Sequence, residues 1–118
     1  MLKNKMTMES LALARQARAA LLAKKGEDPV LLDVRGLSSI TDYYLIVTGL
    51  NAPHLKALLE DLEQEFEQAG QRCARRSGKP ESGWMVADYL DVVVHIFSAQ
   101  HRGYYALEQL WSDAPRVA

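Results

Sequence analysis

The sequence predicts a mixed α/β fold: one small domain covering residues 1–118, with a five-stranded sheet, part parallel and part antiparallel, flanked by helices. Three observations predict it. Two apolar, β-branched runs stand before a strongly amphipathic helical segment, and further strand-like runs stand after it. Two of the later runs are separated only by Tyr89-Leu90-Asp91, which reads as a hairpin turn. Hairpins combined with a helical crossover imply a mixed sheet rather than a purely parallel, doubly wound one.

The elements follow in order. From Thr7, a suitable N-cap, to Lys25 the chain is rich in Ala and Leu, with Leu13, Ala17, Ala20 and Leu21 at helical spacing. Lys24 and Lys25 suit the last turn, Gly26 can take the left-handed C′ conformation, and Pro29 bars continuation. Val30–Val34 is a short strand. Tyr43–Thr48 is a longer one, nearly continuous in apolar character, as expected of a strand buried on both faces at the centre of a sheet. Asn51 caps the second helix with Pro53 in its first turn. Leu55, Leu58, Leu59, Leu62, Phe66 and Ala69 then make a core-facing stripe that Gly70 closes. Gln71–Arg76 is expected as an edge strand, whose charged side chains discourage further pairing. Trp84–Asp88 and Val92–Phe97 form the hairpin, and Arg102–Trp111 is the final helix, with Tyr104, Leu107, Glu108 and Trp111 on one face.

Composition narrows the function classes. Hydrophobic residues at 48% and charged residues at 25% are ordinary globular values, so collagen-like, disordered and coiled-coil chains are excluded. A net charge of −1 argues against nucleic-acid binding driven by bulk charge, and no specific nucleic-acid partner is expected. Cys73 is the single cysteine and cannot close an internal disulfide. No apolar run approaches the ~20 residues of a membrane helix, and Met1–Met8 lacks the apolar stretch of a signal peptide, so a cytoplasmic location is expected.

No residue pattern announces catalysis. His54, His95, His101 and Cys73 lack zinc-ligand spacing, so no metal or cofactor is expected. Ser38, Ser39 and Ser77 lie outside any nucleophile-elbow context, and the glycines form neither a P-loop nor a dinucleotide fingerprint. Asp88 and Asp91 flank a turn; they can hold magnesium if their oxygens converge, and they equally suit ordinary turn chemistry. His95 alternates with Val93 and Phe97 on one sheet face, as a hydrogen-bonded core histidine would. Tyr104 and Tyr105 point about 100° apart on a helix, so at least one is exposed or at an interface. Glu60, Asp61, Glu63, Glu65 and Glu67 make one helix anionic, either as a solvated face or as a dock for a basic partner. Arg72, Arg75, Arg76 and Lys79 form the opposite patch, suited to phosphates or to keeping a loop in solvent.

Asp33-x-Arg35, followed by the run Thr41-Asp42-Tyr43-Tyr44-Leu45-Ile46-Val47-Thr48-Gly49, resembles the ribosomal silencing factor family, also called Iojap-related. The second half makes the resemblance specific. Gly83-Trp84, Asp88-Tyr89, the run from Asp91 to Phe97, Arg102, Tyr105, Leu107-Glu108, Leu110-Trp111 and Asp113-Ala114 follow the family pattern in order, and the match covers about residues 8–117. The resemblance implies a nucleotidyltransferase-like sheet topology in a non-enzymatic protein. It implies a translational repressor that binds the large ribosomal subunit through large-subunit ribosomal protein fourteen and sterically blocks joining of the small subunit when nutrients are scarce. It also implies a homodimer when free.

Carried over by position, Trp84, Asp88, Tyr89, Asp91, Arg102, Tyr105 and Glu108 are the expected partner-binding residues. Trp84, Asp88, Tyr89 and Tyr105 lead this set, because aromatic anchors beside carboxylates suit a basic ribosomal protein. Val94, Leu107 and Leu110 are expected in the core. Two positions depart from the family: Leu90 stands where the turn often has Gly, and Ser77 precedes Gly78 where an acidic residue is common. Two other function classes compete. One is a nucleotide-transferring enzyme, suggested by fold analogy alone, for which Thr48-Gly49-Leu50-Asn51 lacks the usual Gly-Ser turn with magnesium-holding carboxylates. The other is a dimeric adaptor with a different partner.

Overall fold

The computed structural model describes residues 2–118, with side chains from residue 10 onward. The order is α1 (Leu2–Ala23), β1 (Glu27–Asp33), β2 (Tyr43–Gly49), α2 (Ala52–Gln68), β3 (Arg75–Lys79), a 3-10 turn (Pro80–Ser82), β4 (Trp84–Asp88), β5 (Val92–Ser98), α3 (Ala99–Tyr105) and α4 (Leu107–Leu110). The five strands form one sheet in the order β1-β2-β5-β4-β3. β2 and β5 are parallel and the other pairs antiparallel, which is the mixed sheet the sequence predicts. β2 and β5 occupy the centre and are almost wholly buried, so their unbroken apolar runs serve two faces at once.

One face of the sheet is covered by α1 and α2. Leu13, Ala17, Leu21, Leu55, Leu58, Leu59, Leu62 and Phe66 close over Leu45, Val47, Val94 and Ile96. On the other face a smaller core gathers Leu32, Val34, Ile46, Phe97 and Ala114, with Tyr44, Trp84, Leu107 and Trp111 packed against it. That face is only partly covered, because α3 and α4 are short.

Several local expectations change. α1 extends back to Leu2, so Thr7 lies within the helix rather than at its cap; its side chain is outside the described residues. The left-handed residue after α1 is Lys25, at φ 66°, not Gly26. Gly26 is needed for closeness instead: a Cβ there would sit 2.8 Å from Val47 Cγ2 and 2.9 Å from the Leu21 carbonyl oxygen. Ala69 is exposed, since α2 has already ended. The edge strand falls at Arg75–Lys79 rather than Gln71–Arg76. All five of its residues are exposed, so no burial pattern marks its limits, and pairing with β4 sets them.

The last helix is the largest difference. Ala106 adopts a left-handed conformation at φ 48° and breaks the predicted Arg102–Trp111 helix into α3 and α4. Tyr104, Leu107, Glu108 and Trp111 therefore share no helical face. Leu107 packs against the smaller core and Val94 is buried, as expected. Leu110, expected in the core, is 74% exposed because the break turns it outward. The tail then returns along β1: the Asp33 N–H donates to the Pro115 carbonyl at 2.9 Å and the Val117 N–H to the Leu31 carbonyl at 2.8 Å. The β1 edge is thereby covered.

Candidate docking face

The partly covered face carries an aromatic cluster built by strand alternation. On β4, Trp84 and Val86 point to it; on β5, Val93, His95 and Phe97; on β2, Tyr44 and Ile46. Trp84 lies 5.1 Å from the Phe97 ring in a stacked pair and 4.5 Å from the Tyr105 ring. Tyr44 sits between His95 and Trp111, with centroids at 5.4 and 5.3 Å. Tyr104 meets Tyr105 edge to face at 5.1 Å. Tyr105 is 43% exposed and Tyr104 80% exposed, so both tyrosines reach solvent. A groove of about 250 Å³ runs beneath Tyr105, lined by Ser77, Gly78, Ser82, Trp84 and Val86. Gly78 permits it: at φ 87°, a Cβ there would collide with the Trp84 carbonyl oxygen.

His95 is held within this cluster. The Trp84 indole N–H donates to His95 Nδ1 at 3.1 Å. An indole nitrogen can only donate, so Nδ1 accepts and the imidazole proton sits on Nε2. Burial pushes the His95 pKa down to about 4, which keeps the ring neutral. His54 and His101 are also structural. His54 Nδ1 accepts from the Leu50 N–H and its Nε2 reaches the Lys24 carbonyl, both at 2.9 Å. Ser98 Oγ lies 2.8 Å from His101 Nδ1, but it also accepts from the His101 backbone N–H as the N-cap of α3, so the contact belongs to a cap.

The expected partner-binding residues divide. Trp84, Asp88 and Tyr105 reach the partly open face or the rim beside it, whereas Asp91, expected with them, is exposed on the helix-covered side of the sheet, where it lines a shallow pocket with Leu13, Gln16, Ala69 and Gln71. Asp88 Oδ1 accepts from the Leu90 N–H at 2.8 Å, and the Asp91 carbonyl accepts from the Tyr43 N–H at 3.1 Å. The Asp88 side chain therefore organises the β4–β5 turn, and the Asp91 main chain ties its end to β2. Tyr89 requires correction. It is 5% exposed, on the opposite face of the sheet, and packs edge to face against Phe66 at 4.7 Å, so its ring belongs to the core beneath α2. Burial raises its pKa. The sign is alternation: residue 89 falls on the side of Met85 and Ala87, one step out of phase with Trp84.

Arg102 and Glu108 engage each other rather than solvent. Arg102 Nε lies 3.0 Å from Glu108 Oε1, while its NH1 donates to the Asp28 carbonyl at 2.7 Å and to Thr48 Oγ1 at 2.8 Å. This clamp ties α3 and α4 to the ends of β1 and β2. Asp33 and Arg35 form a second brace with contacts of 2.9 and 2.6 Å, and the guanidinium holds the Asp33 carboxyl below its ordinary value. Sequence reasoning missed Tyr44, Val86 and Ser82 as parts of the face. The parity of Trp84 and Val86 held a signal for Val86, whereas Ser82 joins only through the 3-10 turn.

Among the described residues no group of three or more His, Cys, Asp or Glu is placed to hold a metal ion. No described helix is long and apolar enough to cross a membrane. A partly open aromatic face, braced at both ends and flanked by the Asp88 carboxylate, defines a protein of the binding class. The family model described as "Ribosomal silencing factor during starvation" matches residues 7–118, and the chain belongs to this family, which is one of silencing factors and not of enzymes. It is 35% identical over 108 residues to the ribosomal silencing factor RsfS of Bacillus subtilis (strain 168), covering 92% of each chain. To the RsfS of Haemophilus influenzae it is 37% identical over 102 residues, covering 86% of this chain and all of the relative. The crystal structure of a protein from Chromobacterium violaceum matches at a TM-score of 0.82 and 32% identity, covering 86% of this chain and 85% of that one.

Proposed function

We propose that this protein binds the large ribosomal subunit through large-subunit ribosomal protein fourteen and, by occupying that surface, keeps the small subunit from joining. Translation then falls under nutrient limitation. The protein acts in the cytoplasm and is a homodimer when free. Family membership supports the ribosomal target, and the observation that carries the reading is the Trp84–Tyr105 pair, two rings 4.5 Å apart with Tyr105 43% exposed beside a groove. Aromatic anchors next to a carboxylate, here Asp88, suit a basic ribosomal protein. Trp84, Asp88 and Tyr105 make the contact, and the Arg102–Glu108 clamp positions the helix that carries Tyr105.

Co-sedimentation of the pure protein with separated ribosomal subunits tests this. Selective pelleting with the large subunit, and loss of subunit joining when the protein is pre-bound, are expected. Absence of pelleting at near-physiological salt overturns the reading.

A further inference from the structure

The net charge of −1 conceals a segregation. The acidic block lies along α2, whereas the stretch from Arg72 to Trp84 holds Arg72, Arg75, Arg76 and Lys79 against the single carboxylate of Glu81. The fold places Arg75, Arg76 and Lys79 on β3, the sheet edge that no described residue covers, while Arg72 precedes the strand and lines a pocket with Glu63 and Glu67: the C-terminal tail closes the β1 edge, and β3 ends the strand order with all five residues exposed.

The four cations are not equivalent. Arg76 is bound to Glu63 of α2 at 3.1 Å, so its charge is already answered. Arg72, Arg75 and Lys79 form no ion pair among the described residues. The register places Arg75 opposite Asp88, Ser77 opposite Val86 and Lys79 opposite Trp84, so alternation puts Arg75, Ser77 and Lys79 on the same side of the sheet as the Trp84–Tyr105 groove. Asp88, the carboxylate nearest to Arg75 in register, has one oxygen taken by the Leu90 N–H. Arg75 and Lys79 thus stand roughly 13 Å apart along the strand at a rise of about 3.3 Å per residue. They form a cationic rim along the outer edge of the docking face, from the Asp88 end to the Trp84 end.

We propose that this rim, Arg75 and Lys79, binds RNA phosphates, so that the docked protein touches ribosomal RNA along β3 while the aromatic face holds the protein partner. The inference rests on the ribosome-binding reading above. Extended, unpaired cations on an exposed backbone suit a phosphodiester chain, and such contacts position without reading sequence. The same charges disfavour pairing of the outer β3 edge with a second copy of this strand, which would bring like charges together.

The test follows the salt dependence of binding to isolated large subunits over a potassium chloride series, using the full chain. Replacing Arg75→Gln and Lys79→Gln together should flatten the slope of log K against log salt by about 1.5, at roughly 0.7 to 0.9 for each phosphate that is no longer neutralised. The double change Arg76→Gln with Glu63→Gln, which removes a neutral pair, should leave the slope unaltered. A parallel titration with labelled oligouridylate should show binding by the parent chain and none by the Arg75/Lys79 variant; unchanged circular dichroism melts establish that the variants fold. An unaltered slope in that variant overturns the proposal while leaving the docking reading standing. Binding of polyglutamate but not oligouridylate also overturns it, in favour of an acidic protein segment. A parent chain that binds oligouridylate through these cations yet pellets with no subunit overturns the docking reading and with it the placement on the ribosome.

Discussion

The indole N–H of Trp84 and Nδ1 of His95, 3.1 Å apart, join a half-buried ring of the docking face to its buried floor through one hydrogen bond. Trp84 supplies a ring to the groove, and His95 fixes its orientation from beneath. The bond requires neutral His95, which links the shape of the face to pH.

Stability should therefore fall in acid. Burial lowers the His95 pKa from 6.5 to about 4, so between these values the unfolded chain binds the proton and the folded chain resists it. The contribution is fully present above pH 6.5 and is lost as pH drops toward 4, on the order of 3 kcal/mol in all. Urea melts at pH 7 and pH 5 measure it. In a His95→Gln chain this part of the pH dependence should vanish, and an unchanged profile would show that His95 does not titrate in this window.

Tyr105 and Tyr89 should separate cleanly. Tyr105→Ala removes an exposed ring and is expected to weaken pelleting with large subunits while shifting the thermal melt little. Tyr89→Ala empties a core site against Phe66 and should cost about 3–5 kcal/mol. A Tyr105→Ala chain with a collapsed melt would assign that ring to the core instead.

Arg102→Ala should destabilise the protein by about 1–3 kcal/mol, because the Asp28 carbonyl, Thr48 Oγ1 and Glu108 are all left without this donor. Chemical denaturation gives the value. An Arg102→Ala chain of parental stability that nonetheless fails to pellet would mean that the side chain leaves the clamp for the partner.

Leu90 sits at φ 71°, in a turn where its side chain is exposed. A leucine in the left-handed region costs roughly 1–2 kcal/mol, so Leu90→Gly should raise stability by up to about 1 kcal/mol after the added freedom of the unfolded chain is counted. The bond from residue 90 to Asp88 uses the backbone N–H and survives the change. Differential scanning calorimetry should record a melting temperature higher by a few degrees. A lower one would show that the Leu90 side chain has a packing role.

Much of the fold is legible in the sequence because its signals are local. The stripe from Leu55 to Phe66, the Asn51 cap and the uninterrupted Tyr43–Thr48 run each state an element and the face it buries. The final helix is not legible in the same way: Ala106 is a good helix former, and nothing in its neighbours announces a left-handed residue. The clamp of Arg102 on Asp28, 74 residues away in sequence, accompanies that break. Tyr89 escapes for a similar reason. A motif ranks an aromatic as important without saying which side of the sheet it faces, and its position after Ala87 carries the answer.

By itself, the sequence determined the element types, the central place of β2 and the family, because periodicity, caps and an ordered set of aromatic and charged residues are properties of neighbours along the chain. The tertiary structure alone decided which rings reach solvent, which charges find partners and which sheet edge stays open. Those outcomes depend on residues far apart in the chain meeting in space: Arg76 is neutralised by Glu63 while Arg75 is not, and the returning tail closes β1 but leaves β3 bare.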